Sequence, residues 1–281
     1  MPITSAFKQN ELGNPLQGVS DYVKLPFPTL RLRWHNGYPQ ASKDSGTQHF
    51  GGWFNGGDEY AEDLANFPAS LHYMKGPDTW VSKDGKEYEV YHNRAIFAAP
   101  VATRVRWITK ENGYKSSVTE ILAVVADRKD KGSLFPYGAA VLSCSGMGGL
   151  ALVDAFREWV KKTTKARVEF APGVPSNMFY VVIGTFGKER ITRMVGKTSQ
   201  SPIVPAQVNY ADKTEIDEGF LASYFVGDEV GAKMIELKTA AAEWLADVKE
   251  KGKAEAAPAP VNDNDPHYEP IGAEVDPFAE F

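Results

Sequence analysis

Three stretches of the sequence alternate residues so that cationic or ring-bearing side chains gather on one strand face, two of them with arginine at alternate positions against apolar residues. In Leu30-Arg31-Leu32-Arg33-Trp34-His35, the two-residue period of a β-strand sends Leu30, Leu32 and Trp34 to one surface and Arg31, Arg33 and His35 to the other. Thr103-Arg104-Val105-Arg106-Trp107 opposes Arg104 and Arg106 to Val105 and Trp107, and Tyr88-Glu89-Val90-Tyr91-His92-Asn93-Arg94 gathers Tyr88, His92 and Arg94. Adjoining in one sheet, three such strands build a basic surface studded with aromatic and imidazole rings. Guanidinium groups neutralise phosphates and release condensed counterions, while flat rings accept unstacked bases at about 1–3 kcal/mol each. The chemistry expected of this surface is the binding of an extended polynucleotide whose bases are unpaired. The bland alternative for each strand is a solvated polar face.

A second group lies in Gly46-Thr47-Gln48-His49-Phe50-Gly51-Gly52-Trp53-Phe54-Asn55-Gly56-Gly57. Its glycines make it read as a pliable loop, on which Trp53 and Phe54 become base-stacking residues or, alternatively, plugs for the end of a barrel. Trp80 has the same ambiguity and is read as core. Enzymatic patterns are weaker. Pro77-Asp78 followed by Asp84-Gly85-Lys86 loosely matches a magnesium-nuclease arrangement, in which carboxylates hold the metal and lysine positions the nucleophile. Asp84-Gly85 also reads as a tight turn. Gly196-Lys197-Thr198 fails as a phosphate loop because Ile191 stands where the pattern demands glycine. The single cysteine, Cys144, follows an apolar strand and is read as buried packing. None of the five histidines is paired at the spacing of a helix-borne metal site. No catalytic residue, metal or cofactor is expected.

These residues need elements to position them. Of 281 residues, 43% are hydrophobic and 24% charged, which excludes wholesale disorder, collagen and coiled coil as descriptions of the whole. Strand patterns cover Leu30–Trp34, Tyr88–Phe97, Thr103–Ile108, Ser117–Val125, Gly138–Ser143, Phe179–Phe186 and Glu189–Val195. Phe186-Gly187-Lys188-Glu189 reads as a hairpin between the last two, and Ser82–Lys86 as another. Helical periodicity marks Gly149–Lys165 with a stripe of Leu150, Val153, Phe156 and Val160, then Ile216–Phe225, then an amphipathic helix over Gly227–Lys251. Lys161, Lys162 and Lys165 suit the negative end of the first helix. Regular βαβ alternation is missing. The expected fold is α+β, a predominantly antiparallel OB-like barrel with helical elaborations and a C-terminal amphipathic helix, occupying residues 1–252.

Residues 253–281 read as a disordered acidic tail. From Ala254 onward there are seven acids, five prolines and no lysine or arginine, so the remainder of the chain is slightly basic although the whole carries a net charge of −5. The tail ends Gly272-Ala273-Glu274-Val275-Asp276-Pro277-Phe278-Ala279-Glu280-Phe281, and solubility alone does not require Phe278 and Phe281.

In this layout and in these last ten residues the chain resembles bacterial and phage single-stranded-DNA-binding proteins, which join an OB-fold, a flexible linker and an acidic tip ending in an aromatic residue. Bacterial tips end in Pro-Phe after dense acids, whereas here Ala279-Glu280-Phe281 follow Phe278, which points to a phage-like variant. The resemblance implies that the protein binds and protects single-stranded DNA during replication or recombination. It implies further that Asp276, Pro277, Phe278, Glu280 and Phe281 dock on replication or repair proteins. On this reading Arg31, Arg33, Arg94, Arg104 and Arg106 contact phosphates, and Trp53, Phe54, Tyr88 and His92 stack on bases. The expected place is the cytoplasm of a bacterial cell or phage-infected host, because the sequence shows no signal peptide or membrane-length apolar run. A homo-oligomer stays open. The competing readings are a metal-dependent nuclease and a virion or scaffold assembly protein.

Overall fold

The computed structural model describes residues 24–35, 51–56, 74–81, 86–109, 115–126, 139–184, 191–195, 199–203, 206–209 and 216–247. The acidic tail, Asp84 and the Phe186–Glu189 turn lie outside the described residues. The strands are β1 (Leu30–His35), β2 (Gly52–Gly56), β3 (Lys75–Val81), β4 (Glu87–Asn93), β5 (Ala95–Thr109), β6 (Lys115–Val125), β7 (Ala140–Ser145), β8 (Val181–Gly184), β9 (Ile191–Val195), β10 (Ser199–Ile203) and β11 (Gln207–Asn209). The helices are α1 (Gly146–Phe170), α2 (Glu218–Tyr224) and α3 (Asp228–Ala240), and residues 242–247 continue helically after a turn at Ala241. No helix among the described residues is long and apolar enough to cross a membrane.

Nine strands form one sheet in the order β11-β8-β5-β6-β7-β1-β2-β4-β3, while β9 and β10 pair separately. Every pairing in the large sheet is antiparallel except β1 with β7. The sheet is therefore mixed. It is also curled: Trp53 on β2 donates its indole N–H to the Ile183 carbonyl on β8 across 2.8 Å. Those strands are five places apart, which in a flat sheet is about 24 Å. Only rolling the sheet into a half-barrel brings them together.

Directly paired residues project to the same side, so the registers define the faces. Thr103, Ile121, Leu142 and Leu32 pair in sequence across β5, β6, β7 and β1, the last three forming an apolar row. The next row lies on the opposite face and runs Arg104, Glu120, Ser143, Arg33, Phe54, His92 and Lys75 across seven strands. Helix α1 packs on the apolar face. A Cβ at Gly149 would stand 2.6 Å from Thr119 Oγ1 and 2.7 Å from the Cys144 carbonyl, so glycine is what lets the helix start this close. The segment from α3 to residue 247 covers the other face of β5, where Trp244 is buried. Strand β6, enclosed from both sides, is buried from Val118 to Val125.

Several elements differ from their sequence patterns. The single strand read over Tyr88–Phe97 is two, broken at Arg94. Gly52–Gly56, read as a loop, is a buried strand. A Cβ on Gly52 would lie 2.8 Å from the Asn93 carbonyl, so this glycine serves close strand approach and not pliability. Strand β8 pairs with β5 and β11, and β9 with β10, so among the described residues β8 and β9 do not pair with each other. Helix α1 runs beyond both expected ends, and its buried stripe takes Leu152 and Trp159, leaving Leu150 partly in solvent. Cys144 is fully buried, and burial pushes its thiol pKa up, as packing requires.

Candidate nucleic-acid interface

On β1 the burial alternates strictly, with Leu30, Leu32 and Trp34 inside and Arg31, Arg33 and His35 half-buried. The alternation follows from one covered face: Trp34 meets Trp53 edge-on at 5.1 Å within the core. Arg33 is directly opposite Phe54 on β2, and Phe54 is opposite His92 on β4. This places Arg31, Arg33, Phe54, His92 and Tyr88 on one face of three adjacent strands. It is the juxtaposition that the strand periodicities require.

Within that cluster the roles divide by depth. Phe54 and His92 are each 2% exposed and form its floor. The Phe54 ring stacks on His35 at 4.9 Å and lies 5.6 Å from His92. His92 Nε2 is 2.5 Å from Asp78 Oδ2, so the buried imidazole is held by a carboxylate. Above them stand the half-buried rings of His35, Trp80 and Tyr88, with His35 edge-on to Trp80 at 4.6 Å and Trp80 stacked on Tyr88 at 6.2 Å. The exposed Lys86 ammonium sits 4.9 Å over the Tyr88 ring, and Lys75 is exposed in the same row as His92. Burial, and secondarily the charge of Arg33, lower the His35 pKa from 6.5 to about 4. At neutral pH His35 is thus a neutral ring between cations.

Four of the expected contact residues are corrected by their burial. Trp53 is 0% exposed and bonded to β8, so its ring cannot receive a base. Phe54 and His92 support the cluster from beneath and present almost no ring surface to solvent. Arg104 is 4% exposed. Its Nε donates to Glu120 Oε2 at 2.7 Å, its Nη1 donates to the Trp244 carbonyl at 2.7 Å, and its guanidinium lies 4.0 Å over the Trp244 ring. Asp247 Oδ2 is 3.7 Å away. A buried cation requires such partners, and they remove it from any phosphate. Arg106 shares the same carboxylate, donating from Nε to Glu120 Oε1 at 2.9 Å, but remains partly exposed. Arg94, at the break between β4 and β5, is half-buried and belongs to neither strand.

Strand periodicity puts His35 on the cationic face but does not single out Trp80, Lys75, Lys86, Asp78 or Glu120 as parts of it. Signals exist for two of these. The Asp84-Gly85 turn signal implies that β3 folds onto β4, which sets Trp80 opposite Tyr88. Glu120 is the lone carboxylate in the apolar run Val118–Val125, and a charge so placed must be paired. Asp78, one half of the nuclease pattern, is the partner of His92. Among the described residues no group of three His, Cys, Asp or Glu side chains is arranged to hold a metal ion.

Comparison of the chain with protein-family models, with curated proteins and with solved structures returned no match.

Proposed function

We propose that this protein binds single-stranded nucleic acid, without catalysis and with little dependence on sequence, on the face of β1, β2, β4 and β3, its half-barrel acting as an OB-like scaffold. The observation that carries the reading is the arrangement of Arg31, Arg33, Lys75 and Lys86 around the half-buried rings of His35, Trp80 and Tyr88 on one sheet face. Cations at the rim neutralise phosphates, and ring faces between them accept unpaired bases, which a duplex keeps stacked inside. By the resemblance of its last ten residues, the acidic tail recruits replication or repair proteins through Asp276, Pro277, Phe278, Glu280 and Phe281.

Titration of the full chain with single-stranded and duplex oligonucleotides of equal length tests the reading, followed by tryptophan fluorescence at several salt concentrations. The expected result is strong preference for the single strand, with log affinity falling against log salt by about 0.7 for each phosphate neutralised. Equal affinity for both forms, or binding insensitive to salt, overturns it.

A further inference from the structure

The β5–β6 hairpin outruns the strands beside it. Strand β8 pairs with β5 only from Ala95 to Ala98, and β7 pairs with β6 only from Val118 to Ala123. Beyond Arg106 and Val118 the ribbon continues to Thr109 and Lys115 with no flanking strand among the described residues. On this arm stands Trp107, 62% exposed. A tryptophan so far out of the core forgoes most of the stabilisation its burial would give, and its ring is open to a ligand.

The surroundings of the ring select that partner. Trp107 is opposite Ser117, whose small side chain leaves the indole uncovered, and the exposed Lys115 is its diagonal neighbour on the same face. The patch is one ring bordered by a hydroxyl and an ammonium. At most about 250 Å² is available from such a ring, far below the roughly 800 Å² that each partner contributes to a stable protein interface. A single unstacked base needs only one ring face, and the phosphate beside it needs a cation within reach.

We propose that Trp107 is a second base-stacking site for single-stranded nucleic acid, with Lys115 as its phosphate contact, on the stretch of the β5–β6 ribbon that outruns its neighbouring strands. This rests on the proposed function and extends it from the Arg31–Arg33 face to the arm. The test compares wild type, Trp107→Ala and Trp107→Phe as full chains, using labelled oligothymidylate, fluorescence anisotropy and sedimentation velocity. Loss of the ring is expected to weaken binding by about 5- to 150-fold with the salt slope unchanged, and phenylalanine to restore most of it. An unshifted thermal transition in Trp107→Ala is expected from the exposure of the residue and shows that the fold is intact. If wild type binds and Trp107→Ala binds equally well, the arm site is wrong while the proposed function stands. If the substitution changes the sedimenting mass and leaves affinity per chain unaltered, the ring packs against a second copy and the proposal is overturned. Failure of wild type to bind oligothymidylate removes both.

Discussion

Strands β1 and β5 carry nearly the same local sequence, Leu30-Arg31-Leu32-Arg33-Trp34 and Thr103-Arg104-Val105-Arg106-Trp107, yet bury opposite halves of it. On β1 the tryptophan is inside and both arginines are only half-buried; on β5 the tryptophan is 62% exposed and the first arginine is 4% exposed. The register sets Arg33 and Arg104 in one row of one face, three strands apart. What separates their fates is the cover on that face. The segment ending at residue 247 lays Trp244 and Asp247 over Arg104, and β6 supplies Glu120 directly opposite. At Arg33 the row holds Ser143 and Phe54, which offer no charge. A period-two pattern assigns residues to two faces, and the packing on each face decides which becomes interior.

This contrast can be broken at its strongest point by Glu120→Ala, which leaves Arg104 buried without its nearest carboxylate. A reduction of about 3–5 kcal/mol is expected in urea unfolding, and a reduction below about 1 kcal/mol would mean that Arg104 reaches solvent. The two tryptophans give the next test. Trp34→Ala should cost about 3–5 kcal/mol as a core truncation, whereas Trp107→Ala should change stability by no more than about 0.5 kcal/mol.

The open half also carries a pH dependence that the covered arginine pair does not explain. Folding lowers the His35 pKa from 6.5 to about 4, so between those values the unfolded chain binds more protons at this site. Its contribution to stability is complete above pH 6.5 and is lost as the pH falls towards 4. The slope should stay below about 1.4 kcal/mol per pH unit because a single imidazole takes up at most one proton, and His35→Gln should flatten that part of the curve in denaturation series. The smallest stability effect belongs to Arg31→Ala with Arg33→Ala, within about 0.5 kcal/mol for each. Their effect should appear in binding instead, as a salt slope for oligothymidylate made shallower by about 0.7 for each phosphate that is no longer neutralised.

Legibility followed the range of the forces involved. Helices α2 and α3 and strands β1 and β6 stand close to where periodicity puts them, because their apolar residues all face one neighbour or are enclosed on two sides. Strand β2 escapes its local pattern because glycine at Gly52 signals flexibility in isolation but close strand approach in the sheet. The division of Tyr88–Phe97 at Arg94 is hidden because β propensity continues across it. Of the cluster, Arg31 and Arg33 are legible from alternation alone. Trp80 requires folding the hairpin, and Lys75 requires the bulge between Lys75 and Asp78 that brings it opposite His92.

The order of residues in the chain was enough to determine which side chains share a strand face and which helices are amphipathic, since those follow from backbone periods of 2 and 3.6. Only the tertiary structure decided that Arg104 is a buried tie and Arg33 a rim cation, or that Trp53 bonds across the rolled sheet and Trp107 stands in solvent. The reason is physical: burial is a property of what arrives from elsewhere in the chain, and the partners that fix it here lie up to 140 positions away in sequence, as Trp244 does from Arg104.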